Sequence, residues 1–340
     1  MENKISLNIR GGGRNQAIDL IKIYAMLGVL MLHVNVKPAF CNYSTYYIMT
    51  GFAGLAMPLF FMVSGYLLIG RSNERSNFSY TFRKIFGIIR FVTLTTLIYG
   101  ILITLVKRDV NEIYRTIHSL YGNYLQAPHS NLGQYWYFGS MIIIYLVYPI
   151  INRLYNNHKR LFVNILIALS VVCMTAYIQQ YPHIKGYTIQ PLRLWNWLFY
   201  FMLGALVKDI KAKPSFWLLL ICSAGYIYLF YYYIQNTKCY TAEFSFSSPV
   251  SMIYALMLFS YFVNLRFKKF SVVVDHLSQT FLPVYFMQWP IINQIWNHAD
   301  FSLQIGPFAP ILCWLLSAIV CVGSALVIMH FQVGRWIFKI

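Results

Sequence analysis

Between Ala17 and Val36 the chain reads AIDLIKIYAMLGVLMLHVNV. That is about 30 Å of helix, the thickness of a bilayer's hydrocarbon. Nine more apolar stretches follow, at about 46–70, 85–106, 134–151, 161–178, 193–207, 215–234, 248–265, 279–297 and 308–331. In lipid every backbone polar group must be satisfied internally, so the spans are read as helices. The expected fold is therefore an all-α polytopic membrane protein, a bundle of about ten transmembrane helices. Of the 340 residues 59% are hydrophobic and only 11% charged, and the mean hydropathy is +0.55. A net charge of +18 would suggest nucleic acid in a soluble chain. Here the cations lie between apolar spans, so the lipid bilayer is the expected partner and nucleic acid is not.

Assigning alternate loops to opposite sides puts 18 of the 27 Lys and Arg on the side that holds both ends of the chain and 7 on the other, with Lys22 and Arg90 inside spans. Positive loops face the cytoplasm, so both termini are expected there. The expected organisation is a cytoplasmic segment 1–16, one membrane-embedded domain 17–331 and a cytoplasmic tail 332–340. The first span is too long for a signal-peptide core and no small-x-small cleavage site follows it, so it is expected to remain. Val110 to Ile117, in the longest loop, has the pattern of an interfacial amphipathic helix. Of six cysteines, Cys41 and Cys239 fall in outer loops. A disulfide between them is the sharper expectation and two free thiols the plainer one. No C-x-x-C spacing exists and no metal is expected.

The first span carries an acid, a base and an imidazole where lipid-facing side chains belong. At roughly 100° per residue Lys22 and His33 differ by about 20° around the axis, and Asp19 and His33 by about 40°. Asp19 and Lys22 can pair at i,i+3 near the interface, but that leaves His33 unexplained. Ionisable groups within a bilayer mark a functional path. In the second span Pro58 frees a backbone carbonyl and can kink the helix, and Ser64-Gly65 allows close helix approach. Arg83 and Lys84 open the third span as positive anchors, and Arg90 lies about 9 Å deeper, where a guanidinium can snorkel or face a phosphate. There is no His-x-x-x-x-Asp, no phosphate-binding glycine loop, no His-Glu-x-x-His and no Gly-x-Ser-x-Gly, which sets those enzyme classes aside.

Asp19-x-x-Lys22 with His33, the run Pro58 to Leu68, the basic entry to the third span, and Tyr135-Trp136-Tyr137 with Tyr145 to Pro149 together resemble acyltransferase family 3 of integral membrane O-acyltransferases. The similarity extends over nearly the whole chain, with the specific motifs in the first 150 residues. It implies transfer of an acetyl group from cytoplasmic acetyl-CoA, as co-substrate, to a sugar hydroxyl of a lipid-linked or surface polysaccharide such as lipopolysaccharide O-antigen, in the inner membrane of a bacterial cell. His33 matches the family's essential histidine and Lys22 its first-span arginine, with Asp19 beside them. Arg83, Lys84 and Arg90, joined by Arg14, would engage coenzyme A. Ser64, Tyr66, Trp136 and Gln288 would line the substrate path. This chain departs from the pattern at Lys22 in place of Arg, in lacking the family's Arg-x-x-Arg, and at Gln288 where many members have His.

A sugar hydroxyl must lose a proton as it attacks a thioester. A neutral imidazole, with a free pKa of about 6.5, can take it. His33 is thus expected to act as general base or as acyl-accepting nucleophile. Asp19 lies roughly 21 Å along the helix from His33 and cannot orient it as in a triad, so Asp19 and Lys22 are expected to organise the cytoplasmic half of the path. A coenzyme A arm reaching through the bundle, or an acetyl relay, would connect the two ends. The competing classes are a flippase for a glycan or lipid-linked sugar, with no covalent step, and an assembly subunit of a polysaccharide-synthesis complex.

Overall fold

The computed structural model describes residues 15–34, 43–71, 78–118, 132–179, 188, 190–210, 213–237, 242–265, 271–298 and 308–338. Arg14, Cys41 and Cys239 lie outside them, and with them the coenzyme A contact and the disulfide expected there. Every regular element among the described residues is helical. In order these are α1 (Gln16–Val34), α2 (Tyr43–Ala53), α3 (Ala56–Leu68), α4 (Phe78–Lys107), α5 (Asn111–His118), α6 (Trp136–Asn157), α7 (Lys159–Ile178), α8 (Leu194–Leu206), α9 (Phe216–Thr237), α10 (Pro249–Asn264), α11 (Ser271–Gln279), α12 (Phe281–His298), α13 (Ala309–His330) and α14 (Gln332–Ile337). Each of the ten expected spans falls on one of these helices or, for the second span, on α2 and α3 together. Seven spans among the described residues are long and apolar enough to cross a bilayer: α1, Thr45–Leu68, α4, Gly133–Asn157, α7, Phe216–Gln235 and α13. The chain is an all-α polytopic membrane protein.

The second span breaks where its proline requires it. Pro58 has no N–H for the carbonyl four residues back, that of Gly54, and the helix turns at Gly54-Leu55 before restarting as α3. The break leaves Pro58 in the first turn of α3, where a missing N–H is harmless. The Thr45–Leu68 window is 78% buried, against 17% for α7. The second span is therefore the inner element. α4, α7, α9 and α13 turn Leu105, Ile167, Ile221 and Ile319 outwards as an apolar belt, which is the surface lipid demands.

α8 is short because protein, not lipid, surrounds it. Its 13 residues reach only about 20 Å, and 9 of them are buried. It packs most closely against α3, and the reason is two glycines. A Cβ on Gly65 would stand 1.7 Å from the Phe201 carbonyl oxygen, and one on Gly204 would stand 2.0 Å from that of Met62. The two backbones touch at these points, the close approach small residues allow in membranes. Phe61 stacks on Trp197 at 4.8 Å just beside the contact.

Where α3, α6 and α8 finish, polar groups tie them together. Gly70, at φ 79°, donates its N–H to Asn152 Oδ1 at 2.8 Å, and Tyr148 donates to the Leu68 carbonyl at 3.3 Å. Lys208 donates to the Ile69 carbonyl and lies 5.2 Å over the Tyr66 ring. Next to it Asp209 pairs with Lys159 and accepts from Tyr155 at 2.9 Å. Elsewhere α5 forms as its pattern predicts. Buried Glu112 meets Lys107 at 3.2 Å and Arg115, while Val110, Tyr114 and Ile117 face outwards.

Two outcomes are expected. Gly65→Ala and Gly204→Ala force the touching backbones apart, a distortion of about 1–3 kcal/mol, and lower the thermal unfolding midpoint of the purified protein. Gly225→Ala, where a Cβ meets nothing within 4 Å, leaves it unchanged or raises it. Burial lowers the Lys208 amine from 10.5 to about 8, opposed by Asp209 and reinforced by Lys159. The unfolded chain then binds more protons between pH 8 and 10.5 than the folded one, so stability contributed at this site rises with pH across that window. Below pH 8 both states are charged and the burial penalty stands in full. Unfolding midpoints at pH 7 and 9.5 should differ more in the wild type than in Lys208→Met.

Candidate active site

α1 is the helix on which the candidate groups meet their neighbours. The Asn15 side chain caps it, accepting from the Ala17 N–H at 3.2 Å. Asp19 is 1% exposed. Lys22, three residues on and one turn above, reaches it at 3.1 Å. The pair expected from the spacing is present, and burial removes its carboxylate from water. A carboxylate so placed needs its cation, because stripping one partner leaves a buried charge. The side chain of Lys22 keeps 27% of its surface open, so one face of its ammonium remains available. Further along, Tyr24 donates to the Phe52 carbonyl, and Gly28 lets Ala53 and Ala56 come close. Trp314 of α13 donates its indole N–H to the Leu27 carbonyl at 3.0 Å.

His33 lies near the other end of α1, half-buried, its ring edge-on to Trp289 of α12 at 5.3 Å and 75°. It is 14 residues beyond Asp19 on one unbroken helix, and the two side chains are as separate as their spacing predicted. Gln288, beside Trp289, is 1% exposed, and its side-chain nitrogen has no acceptor among the described residues. One turn before it on α12, Tyr285 donates to the Gln134 carbonyl. Gln134 belongs to a 3₁₀ turn, Gly133–Tyr135, that leads into α6. Its side-chain nitrogen is likewise buried and without an acceptor among the described residues.

From Tyr285 the aromatic contacts run to α6 and α3. Tyr137 lies 6.1 Å from Tyr285 and 5.1 Å from Phe61, and its hydroxyl is hydrogen-bonded to Ser64. The Ser64 hydroxyl donates to the Phe60 carbonyl at 3.0 Å. Trp136 packs on Trp197 at 4.8 Å. Three of the expected path residues, Ser64, Trp136 and Gln288, are thus joined through Tyr137 and Tyr285. Tyr66 is not among them, being held under Lys208 and against Phe259 at 5.7 Å.

The basic residues of α4 do not form one cluster. Arg83 and Lys84 both lie over the Tyr80 ring, at 5.6 and 5.7 Å. Arg90 lies about 10 Å further along the helix, with its guanidinium 4.9 Å over Trp336 of α14. Phe338, just beyond α14, packs at 5.7 Å on Phe91 and 6.1 Å on Phe286. The end of the described chain therefore covers this stretch of α4. Tyr80, Gln134, Lys208, Tyr285 and Trp289 were not singled out in the sequence, whereas Tyr137 was, within the motif Tyr135-Trp136-Tyr137. Gln134 and Trp289 stand next to motifs that were, yet neither spacing nor hydropathy marks which of their neighbours point inwards. Among the described residues no three His, Cys, Asp or Glu side chains come together as a metal site would need.

An acyltransferase-domain family model matches residues 15–330, from the cap of α1 to the last residue of α13. No curated protein and no solved structure matches the chain. The match takes in the Asp19–Lys22 pair, His33 and the joined path of Ser64, Trp136 and Gln288, and the chain belongs to the acyltransferase 3 family of membrane acyltransferases.

Proposed function

We propose that the protein transfers an acetyl group from cytoplasmic acetyl-CoA to a sugar hydroxyl of a surface glycan, such as lipopolysaccharide O-antigen, in a bacterial inner membrane. The observation that carries this reading is the placement of His33. It is an imidazole on a membrane-spanning helix of an acyltransferase domain, set edge-on to Trp289 at one end of a connected run of polar and aromatic groups. As general base, His33 takes the proton of the attacking hydroxyl while the hydroxyl oxygen bonds to the thioester carbon. The carbon–sulfur bond then breaks, and the imidazolium returns the proton to the leaving thiolate. Acyl-His33 is the other route, with the imidazole attacking first and the sugar second.

The donor's charge calls for cations away from the reacting atoms. Arg83 and Lys84, held together over Tyr80, suit the nucleotide phosphates as they enter from the cytoplasm. Arg90 would reach such a ligand only by leaving Trp336. Lys22, with its open face, suits the pantetheine arm's entry and keeps Asp19 neutralised.

Wild type, His33→Ala, Lys22→Arg and Lys22→Ala should be expressed at matched membrane levels in a host lacking the gene, and base-labile O-acetyl on its surface polysaccharide measured by NMR or mass spectrometry. Wild type should acetylate, and His33→Ala should lose at least about 100-fold, the share a positioned base supplies. Lys22→Arg should retain activity, since it keeps the charge beside Asp19. Lys22→Ala should lose activity and stability together. Glycan export that changes without any acetyl ester would point to a flippase instead.

A further inference from the structure

We propose that the side-chain amides of Gln134 and Gln288 form a pair of neutral donors for the acyl carbonyl oxygen beside His33, holding it as it becomes an oxyanion. This rests on the acyl-transfer reading above. Both side chains are buried, at 5% and 1% exposure, and the amide nitrogen of each has no acceptor among the described residues. A buried donor left unmade costs about 1–3 kcal/mol. Thr81, Thr96 and Ser260 also bury an unmade hydroxyl, but a hydroxyl on a helix is one bond rotation from a carbonyl of its own preceding turn. A glutamine amide carries its donors at the end of a longer arm and has no such local resort. Two of them on different elements suit an acceptor brought by a bound ligand.

Two contacts bring the segments that carry these amides together. The Tyr285 hydroxyl ties the Gln134 backbone to α12, and Gln288 stands three residues beyond Tyr285, about 4.5 Å up the same helix. Trp289, the next residue, carries the ring that meets His33. Around them are Tyr135, Tyr137 and Phe138, all buried. In such surroundings a fixed dipole acts at low dielectric and needs no reorganisation as charge develops.

The chemistry selects the ligand. A primary amide is uncharged and would be a poor partner for a phosphate, for which this protein has arginines and lysines elsewhere. It suits an oxygen that is a carbonyl in the ground state and anionic in the tetrahedral intermediate. No cation of α1 can serve there, since Lys22 is about 16 Å along the helix from His33. A charged donor at that place would also oppose the imidazolium that His33 becomes. Neutral donors avoid both difficulties.

The test uses membrane vesicles from a host that supplies the glycan, with radiolabelled acetyl-CoA as donor and the full chain carrying Gln134→Ala, Gln288→Leu or Gln288→His. Removal of either amide should lower kcat by about 100-fold or more. The KM for acetyl-CoA and the thermal midpoint should stay close to wild type. Gln288→His, which restores a neutral N–H donor, should recover most of the rate. Unchanged kcat in both removal variants overturns the proposal while leaving acetyl transfer intact. A raised KM for the glycan at unchanged kcat also overturns it, and assigns the amides to the sugar. A wild-type protein that makes no acetyl ester overturns the transfer reading and this inference with it.

Discussion

Two glycines decide how the bundle closes. At Gly65 and Gly204 the backbones of α3 and α8 touch, and no other residue type fits either place. In a bilayer there is no water to expel from between helices, so contact area and close approach must supply what the hydrophobic effect supplies in solution. The α3–α8 pair provides it at the centre, and the partners of both helices are arranged around that contact. Because α8 is held by protein on all sides, it can be too short to span. Because α3 is fixed, its last carbonyl and Gly70 can be matched to Lys208 and Asn152.

Polar groups in the bundle follow one rule, that each is closed off against lipid. Asp19 is neutralised by Lys22, Glu112 by Lys107 and Arg115, and Asp209 by Lys159. Tyrosine hydroxyls reach carbonyls across helices, from Tyr24 to Phe52, Tyr148 to Leu68 and Tyr285 to Gln134. Against that background the buried amide nitrogens of Gln134 and Gln288 have no acceptor among the described residues. They lie at the same end of the bundle as His33, which is where an acyl group would have to be held for the imidazole to act.

The two ends of α1 divide the work of the proposed reaction. At one, a buried acid and its lysine sit near the route of a charged donor. At the other, the imidazole meets an indole edge-on, and the proposed amide donors would carry the transient charge there. The roughly 21 Å between them is the length over which a pantetheine arm would extend. In the proposed reaction that division would place the most highly charged part of the donor among cations and the reacting bond away from them.

Much of this was legible in the residues. The bilayer obliges a chain to satisfy its own backbone, so apolar length alone located the helices, and helical periodicity alone paired Asp19 with Lys22 while separating both from His33. The break in the second span was legible too, because Pro58 withholds the N–H that Gly54 needs. What the sequence could not decide was which helices face protein and which face lipid, since α3, α8 and α7 are alike in apolar content and only their neighbours differ. Nor could it show that Arg90 lies under Trp336 instead of joining Arg83, or that Tyr66 belongs to Lys208. Local periodicity fixes a side chain's direction about its own helix. The partner it finds there depends on packing between segments far apart in the chain, and only the tertiary structure settles that.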